Sequence, residues 1–216
     1  MGTGRSAAGP HRSVFEPTAQ HSDVDKKIVS SLERLSQVFR ILLRGEAQGR
    51  GLSPIQAMFL VHLLHHSPAN RRVSQLAREF DLTAATVSDA VGSLEEKGLI
   101  RREPWPHDRR VATLCLTPTG EHTARGLAAW ANVVEEHLID RSPGEKEVVM
   151  RFLMDLIGSL QRSGQISVAR MCVTCRFFRP ESHPNESTPH HCALLDVPLA
   201  GFELRTDCPE HELAAS

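Results

Sequence analysis

The sequence predicts a mainly α-helical fold with one small β-hairpin, followed by a Cys-rich tail. Three observations lead there. Apolar residues recur at three- and four-residue spacing through most of the first 160 positions, and one alternating stretch near residue 100 interrupts that period. Beyond Gln161 the period vanishes, and four of the five cysteines lie there.

The elements follow in order. Asp25 to Leu43 places Ile28, Leu32, Leu35, Val38, Phe39 and Leu42 on one helical stripe. Ser53-Pro54 opens a second helix, with Ser53 as N-cap and Pro54 where its missing N–H is harmless; it runs to His66 and is closed by Ser67-Pro68. Val73 to Phe80 is a short helix, and Asp81-Leu82-Thr83 leads into a longer one, Ala84 to Lys97, capped at Gly98. Two helices joined by so short a turn suggest a helix-turn-helix. Leu99 to Arg102 forms one strand, Pro104 to Asp108 a turn, and Val111 to Leu116 the returning strand, so the hairpin reads as a wing. Thr117-Pro118 starts a helix that is apolar at Leu127, Trp130, Ala131, Val134 and Leu138, and Ser142-Pro143-Gly144-Glu145 starts the last, to about Leu160. Wide apolar stripes on the terminal helices predict a homodimer interface. The expected domains are a disordered arm over 1–24, a DNA-binding and dimerisation domain over 25–162, and a metal-binding tail over 163–216.

Composition narrows the function class. The chain has 216 residues, 40% hydrophobic, which is enough for one core and a small appendage. A formal net charge of −1 gives no global sign of nucleic-acid binding, so any such surface must come from local clusters of Arg and Lys. The segment before Ser22 has no apolar block, which excludes a secretory signal or membrane span there and predicts a cytoplasmic protein. In that compartment cysteines are kept reduced, so metal or redox chemistry is expected in place of structural disulfides.

The run VSQLAREFDLTAATVSDAVGSLEEKGLIRREPWPHDRRVATLCLTPTGE resembles the MarR family of winged helix-turn-helix transcriptional regulators. The matching parts are the short helix, the helix ending in LEEKGLIRR, the Asp108-Arg109-Arg110 wing and the strand reaching Leu116-Thr117 before Gly120. The resemblance covers about residues 25 to 160. It implies a homodimeric winged helix with interlocked terminal helices, a pseudo-palindromic duplex operator as partner, repression as the usual outcome, and loss of DNA affinity on sensing a signal.

In the helix from Ala84, Val87, Ala90, Val91 and Leu94 fall on one inward face. Ala85, Thr86, Asp89 and Ser93 point outward, with Thr83 and Ser88 at the flank. Such a face offers short hydrogen bonds and methyl contacts to bases. Its N-terminus offers free N–H groups to a phosphate. Arg101, Arg102, His107, Arg109 and Arg110 concentrate positive charge on the hairpin. The resemblance places that hairpin against the minor groove, with Arg110 inserted and Asp108 bracing it. Asp89 is tolerable near phosphates if it accepts from a cytosine amine or pairs with an arginine.

The tail reads Cys-x2-Cys-x16-Cys-x15-Cys, with Cys172, Cys175, Cys192 and Cys208 as metal ligands. Four thiolates suit tetrahedral zinc or an iron–sulfur cluster. One close pair joined by two isolated cysteines resembles the cluster-binding layout of certain uracil-DNA glycosylases. Phe177, Phe178, Leu194, Leu195, Leu199 and Phe202 could shield a cluster, and Pro209 follows Cys208 as it often follows a cluster ligand. The cluster is therefore the first reading and zinc the second. His190, His191 and His211 are alternative nitrogen ligands, and Cys115 in the wing strand is set aside as a small hydrophobe.

The leading function is a transcriptional regulator controlled by redox or iron status through the tail. A structural zinc tail with a small organic effector is the alternative. A thiol-disulfide enzyme is a third reading, but the tail lacks the βαβ setting that such a Cys-x2-Cys pair uses, and no phosphate loop or nucleophile–base arrangement is present.

Overall fold

The structure is a computed structural model that describes residues 13–16, 23–105, 108–184 and 186–214; the side chains of residues 108–111 are outside the description. Two compact units divide at Pro54, so the Cys-rich tail falls in the same unit as the helix-turn-helix.

The first unit, Met1–Pro54, is built on α1, Val24–Gln48. Asp23 caps it by accepting from the Lys26 N–H at 3.2 Å. The helix runs five residues past the expected Leu43, because residues 44–48 contain no proline or β-branched side chain. Gly51, at φ +64°, then supplies the left-handed turn that ends the segment. Leu35, Val38, Phe39 and Ile41 stay exposed along it.

The second unit, Ile55–Ser216, opens with all but the first residue of α2, Pro54–His65, which is apolar almost all round and buries Ala57, Phe59, Leu60, His62 and Leu63. Helices α3, Val73–Glu79, and α4, Ala84–Glu96, pack beside it through Leu76, Val87, Val91 and Leu94, none of which reaches solvent. Each such side chain contributes about 1.5–3 kcal/mol on burial. The Phe59 and Phe80 rings meet at 5.2 Å, and Phe80 stands edge-on to His62.

The hairpin is longer than expected. Strand β1 covers Ile100–Trp105 and β2 covers Asp108–Leu116, paired antiparallel from Ile100↔Leu116 to Pro104↔Ala112. Pro104, expected to open the turn, lies within β1; a two-stranded hairpin tolerates its missing N–H. The register then jumps to Trp105↔Asp108, leaving 109–111 in an irregular stretch. Thr113 and Leu114 are both buried on the returning strand, and the Leu114 N–H donates to the Arg71 carbonyl at 2.8 Å.

Helix α5, Pro118–Ala128, is capped by Thr117, whose hydroxyl accepts from the Gly120 N–H at 3.0 Å. The expected continuation to Leu138 is broken by a 3-10 turn at Ala129–Ala131 before the short α6, Asn132–Glu136. Asn132 and the β-branched Val133 and Val134 are weak helix formers at that joint. Helix α7, Pro143–Arg162, starts with the expected capping box between Ser142 and Glu145.

Beyond α7 the tail forms a 3-10 turn at Cys172–Thr174 and a three-stranded antiparallel sheet of β3, Phe178–Arg179, β4, His190–Cys192, and β5, Val197–Leu199. It lies on α7: a Cβ at Gly158 would stand 3.4 Å from the Thr174 methyl and 3.5 Å from a Val173 methyl.

Gly120 sits where α5 crosses the backbone of Leu99; a Cβ there would fall 1.8 Å from the Leu99 carbonyl oxygen. Gly120→Ala is therefore expected to lower stability by at least ~2 kcal/mol, read from the urea midpoint, because backbone and not a flexible side chain must move. A second expectation concerns pH. His62, 5% exposed, has its pKa lowered to about 4 by burial first and by the neighbouring His66 second. The unfolded chain takes up this proton near pH 6.5 and the folded chain does not. The stabilisation is thus complete above pH 6.5 and is lost as pH falls toward 4, by on the order of 3 kcal/mol. Urea titrations over that range should show the slope, and His62→Asn should flatten it.

Candidate nucleic-acid interface and thiol cavity

The turn between α3 and α4 is tight because Asp81 adopts φ +48°, which lets the Leu82 N–H return to the Ala77 carbonyl at 2.9 Å. Aspartate tolerates this conformation better than most residues. Thr83 then caps α4: its hydroxyl accepts from the Thr86 N–H at 3.1 Å and lies 2.8 Å from the Thr86 hydroxyl. With Val87, Val91 and Leu94 inward, α4 leaves Thr83, Ala85, Thr86, Ser88 and Asp89 exposed, while Ser93, expected outward, is half-buried. The Thr83 and Thr86 hydroxyls bond to each other, which uses one of their two O–H donors; the other donor, the Ser88 hydroxyl and the Asp89 carboxylate are the polar groups left to this face.

On the wing, Arg101 and Arg102 are exposed but not free. Arg101 pairs with Glu103 at 2.7 Å and Arg102 with Glu95 at 2.9 Å. The side-chain bond with Glu103 holds the Arg101 guanidinium above its ordinary range and the Glu103 carboxyl below its own. Arg109 and Arg110 lie in the irregular stretch of β2, with side chains outside the described set, and His107 lies outside the described residues. Cys115 is half-buried and its thiol donates to Glu103 at 3.3 Å; burial first, then Glu103, pushes its pKa up, away from a reactive thiolate.

All four tail cysteines line one small cavity of about 30 Å³, walled by Phe177, Phe178, Leu194, Leu195 and Leu199. Each is an unbridged, half-buried thiol. The local folding that gathers them is backbone work. The Cys175 N–H donates to the Cys172 carbonyl at 2.9 Å, Cys192 pairs with Phe178 across the sheet, and the Cys208 N–H donates to the Arg170 carbonyl at 2.8 Å. The Arg205 N–H donates to the Cys172 sulfur at 3.2 Å, as donors do around a thiolate. Burial pushes the Cys172 thiol up most, and the thiols of Cys208, Cys175 and Cys192 push the same way. Among the described residues, however, no group of three His, Cys, Asp or Glu side chains is close enough to hold a metal ion.

The three histidines considered as ligands are engaged elsewhere. His211 Nε2 lies 2.9 Å from the Thr174 hydroxyl, His190 Nδ1 accepts from the Glu181 N–H at 3.3 Å, and His191 sits between His183 and Asp196 at 3.3 and 3.2 Å.

Sequence reasoning missed an ion cluster that ties this tail to the helix-turn-helix. Arg170, two residues before Cys172, donates to Glu79 on α3 at 2.7 and 3.1 Å and to Asp207 at 2.8 Å. Its Nη2 also lies 2.9 Å from His66 Nε2, and that nitrogen is 2.7 Å from Asp207. The Ser167 hydroxyl donates to Asp81 in the α3–α4 turn. These pairs are up to 104 residues apart in sequence, and no local pattern announces them.

Residues 50–111 match the MarR family. Among solved structures, the chain is similar to the transcriptional regulator PA3341, at 25% identity and a TM-score of 0.55 over 62% of this chain and 98% of that one. It is also similar to MepR of S. aureus in a DNA complex, at 22% identity and a TM-score of 0.53 over 61% of this chain and 96% of that one. The same MepR in its DNA-binding conformation gives 22% identity and a TM-score of 0.55, over 62% and 98%.

Removing the α4 cap tests the geometry of the reading helix. Thr83→Ala should cost about 1 kcal/mol of stability, read in urea, because the first-turn N–H of Thr86 loses its acceptor. From its short α3, tight turn, capped α4 and paired wing, and from the family match over 50–111, the chain carries a MarR-family segment built as a winged helix-turn-helix.

Proposed function

We propose that the protein is a MarR-type transcriptional regulator that binds a pseudo-palindromic duplex operator as a homodimer, and that its four-cysteine tail holds a metal centre. The observation that carries the DNA-binding reading is α4 itself. It is capped at its N-terminus, buried on one side through Val87, Val91 and Leu94, and carries only short side chains on the exposed side of its first two turns, beside a wing that continues into Arg109 and Arg110. Its outward groups are small enough to enter a major groove without steric conflict. MepR of similar fold has been captured in a DNA complex and in a DNA-binding conformation, which agrees with that use of the fold.

Dimerisation is supported by apolar side chains left exposed on α7, Val148, Val149, Phe152 and Leu160, and by those on α1 in the other unit. Exposed apolar surface repeated along helices is the usual mark of a protein interface. Among the described residues, no helix is long and apolar enough to cross a membrane.

For the tail, support comes from the donor set: four thiols and no disulfide around one apolar-walled cavity. Soft thiolates select zinc or iron–sulfur clusters. A cluster would supply a centre responsive to oxidation or iron supply, with repression released or imposed as it is lost, and zinc would supply a structural clasp. The second reading, a small organic effector, has a place in a separate cavity of about 200 Å³ lined by Gln75, Arg78, Gln161 and His211, where the Arg78 side chain has no partner among the described residues.

The duplex upstream of the protein's own coding sequence is the probe for DNA binding. Wild-type protein should retain it with strong salt dependence, and Arg110→Ala should weaken binding at fixed salt by about tenfold or more. Unchanged affinity in the variant would reject the wing contact. For the tail, protein purified without oxygen should contain iron and sulfide, or one zinc per chain, and Cys192→Ala should lose either. A wild-type chain free of both metals would reject the metal centre.

A further inference from the structure

We propose that Arg170 is a positioning residue through which the state of the four-thiol site reaches the reading helix: with the site loaded it holds the α3–α4 turn in place, and with the site stripped it releases it. This rests on the proposed metal-binding reading of the tail.

The argument starts from where Arg170 stands. It is two residues before Cys172, and its own carbonyl accepts from the Cys208 N–H at 2.8 Å. Its Nε donates to Asp207, the residue before Cys208, at 2.8 Å. The Cys172 N–H in turn donates to the Arg205 carbonyl at 3.0 Å. The chain segments that carry Cys172 and Cys208 are thus laced together at the backbone around Arg170. A metal centre bonded to both sulfurs would lock the same two segments.

The other end of the fork leaves the tail. Both Nη atoms of Arg170 donate to Glu79, the last residue of α3, at 2.7 and 3.1 Å, and Nη2 also reaches His66 just past α2. Three residues upstream, the Ser167 hydroxyl and its N–H, the latter at 3.4 Å, donate to Asp81. Asp81 is the left-handed residue whose conformation sets the angle between α3 and α4. The tail therefore grips the helix-turn-helix at its hinge.

Arginine is the residue such a link needs. A planar fork can satisfy two carboxylates and an imidazole at once, where an ammonium is a point charge. The Arg170 side chain is 15% exposed, so a shift of Asp207 that follows loss of the metal leaves a half-buried cation short of one of its two carboxylates. The guanidinium must then move, and the Glu79 contact goes with it. Coupling needs a second arrangement of this one element, with Arg170 off Glu79, which loss of the metal would favour.

The test uses the full chain, purified without oxygen, as wild type, Arg170→Lys and Ser167→Ala. Iron, sulfide and zinc are measured first, and amide hydrogen exchange is then followed before and after stripping with a chelator. In wild type, stripping should speed exchange of the amides over 76–86 by about tenfold and leave α5 unchanged. Arg170→Lys should keep its metal yet exchange fast over 76–86 whether loaded or stripped. Ser167→Ala, which removes one hydroxyl, should lose part of the metal dependence and keeps the test intact if Arg170→Lys fails to fold. A purely structural arginine would raise exchange in the variant but leave the response to stripping in place, and that result overturns the proposal. So does a loaded wild type that does not respond to stripping. A wild type without metal overturns the metal reading and the coupling together, and the metal analysis alone identifies that case.

Discussion

The half-buried guanidinium of Arg170 meets partners from three separate segments, and the seating of the tail depends on that meeting. Glu79 comes from α3, Asp207 from the far end of the tail, and His66 from the end of α2. None of these segments is brought there by its own helical or strand period. Desolvating one charge is expensive, and the expense is offset only when all the acceptors arrive with good geometry. The consequence is that a tail of weak secondary structure, with strands of two or three residues, is fixed against the winged helix.

The same economy appears at the thiols. Small strands cannot bury much apolar surface, and the cavity walls of Phe177, Phe178, Leu194, Leu195 and Leu199 make up a modest core. Domains of this size lean on a disulfide or a metal for the remainder. Here the cysteines are unbridged, the backbone gathers them, and the side chains around them are mostly hydrocarbon. The Arg205 N–H that donates to the Cys172 sulfur adds one polar tie to a site otherwise held by hydrocarbon and backbone.

How much was legible in the sequence follows from the range of the interaction concerned. Helix starts marked by Thr83, Thr117 and Ser142 were legible because capping is settled within four residues. The inward set Val87, Val91 and Leu94 was legible because periodicity is local too. The wing's length was not, since Pro104 reads as a turn residue until a partner strand is present to tolerate it. Nor was the break at Ala129–Ala131, where an apolar stripe continues through a change of helix type. The four cysteines announced a shared site by composition, but the His–Arg–carboxylate cluster beside them had no such signature. Arg170 and Glu79 look like ordinary surface charges until the fold places them together.

The Thr83–Thr86 hydroxyl pair bears on how selective a regulator of this build can be. One of the two hydroxyl protons is used in holding the start of α4, and what remains outward on the first turns is methyl groups, one threonine O–H, one serine and one carboxylate. A surface of that kind tells one base pair from another by fractions of what a bidentate arginine achieves. Recognition then shifts from individual bases to the shape and stiffness of the duplex and, for a dimer, to the separation of its half-sites. Tolerance of sequence variation within each half-site, combined with intolerance of altered spacing, would make the regulator's targets a set of related sites distinguished by geometry.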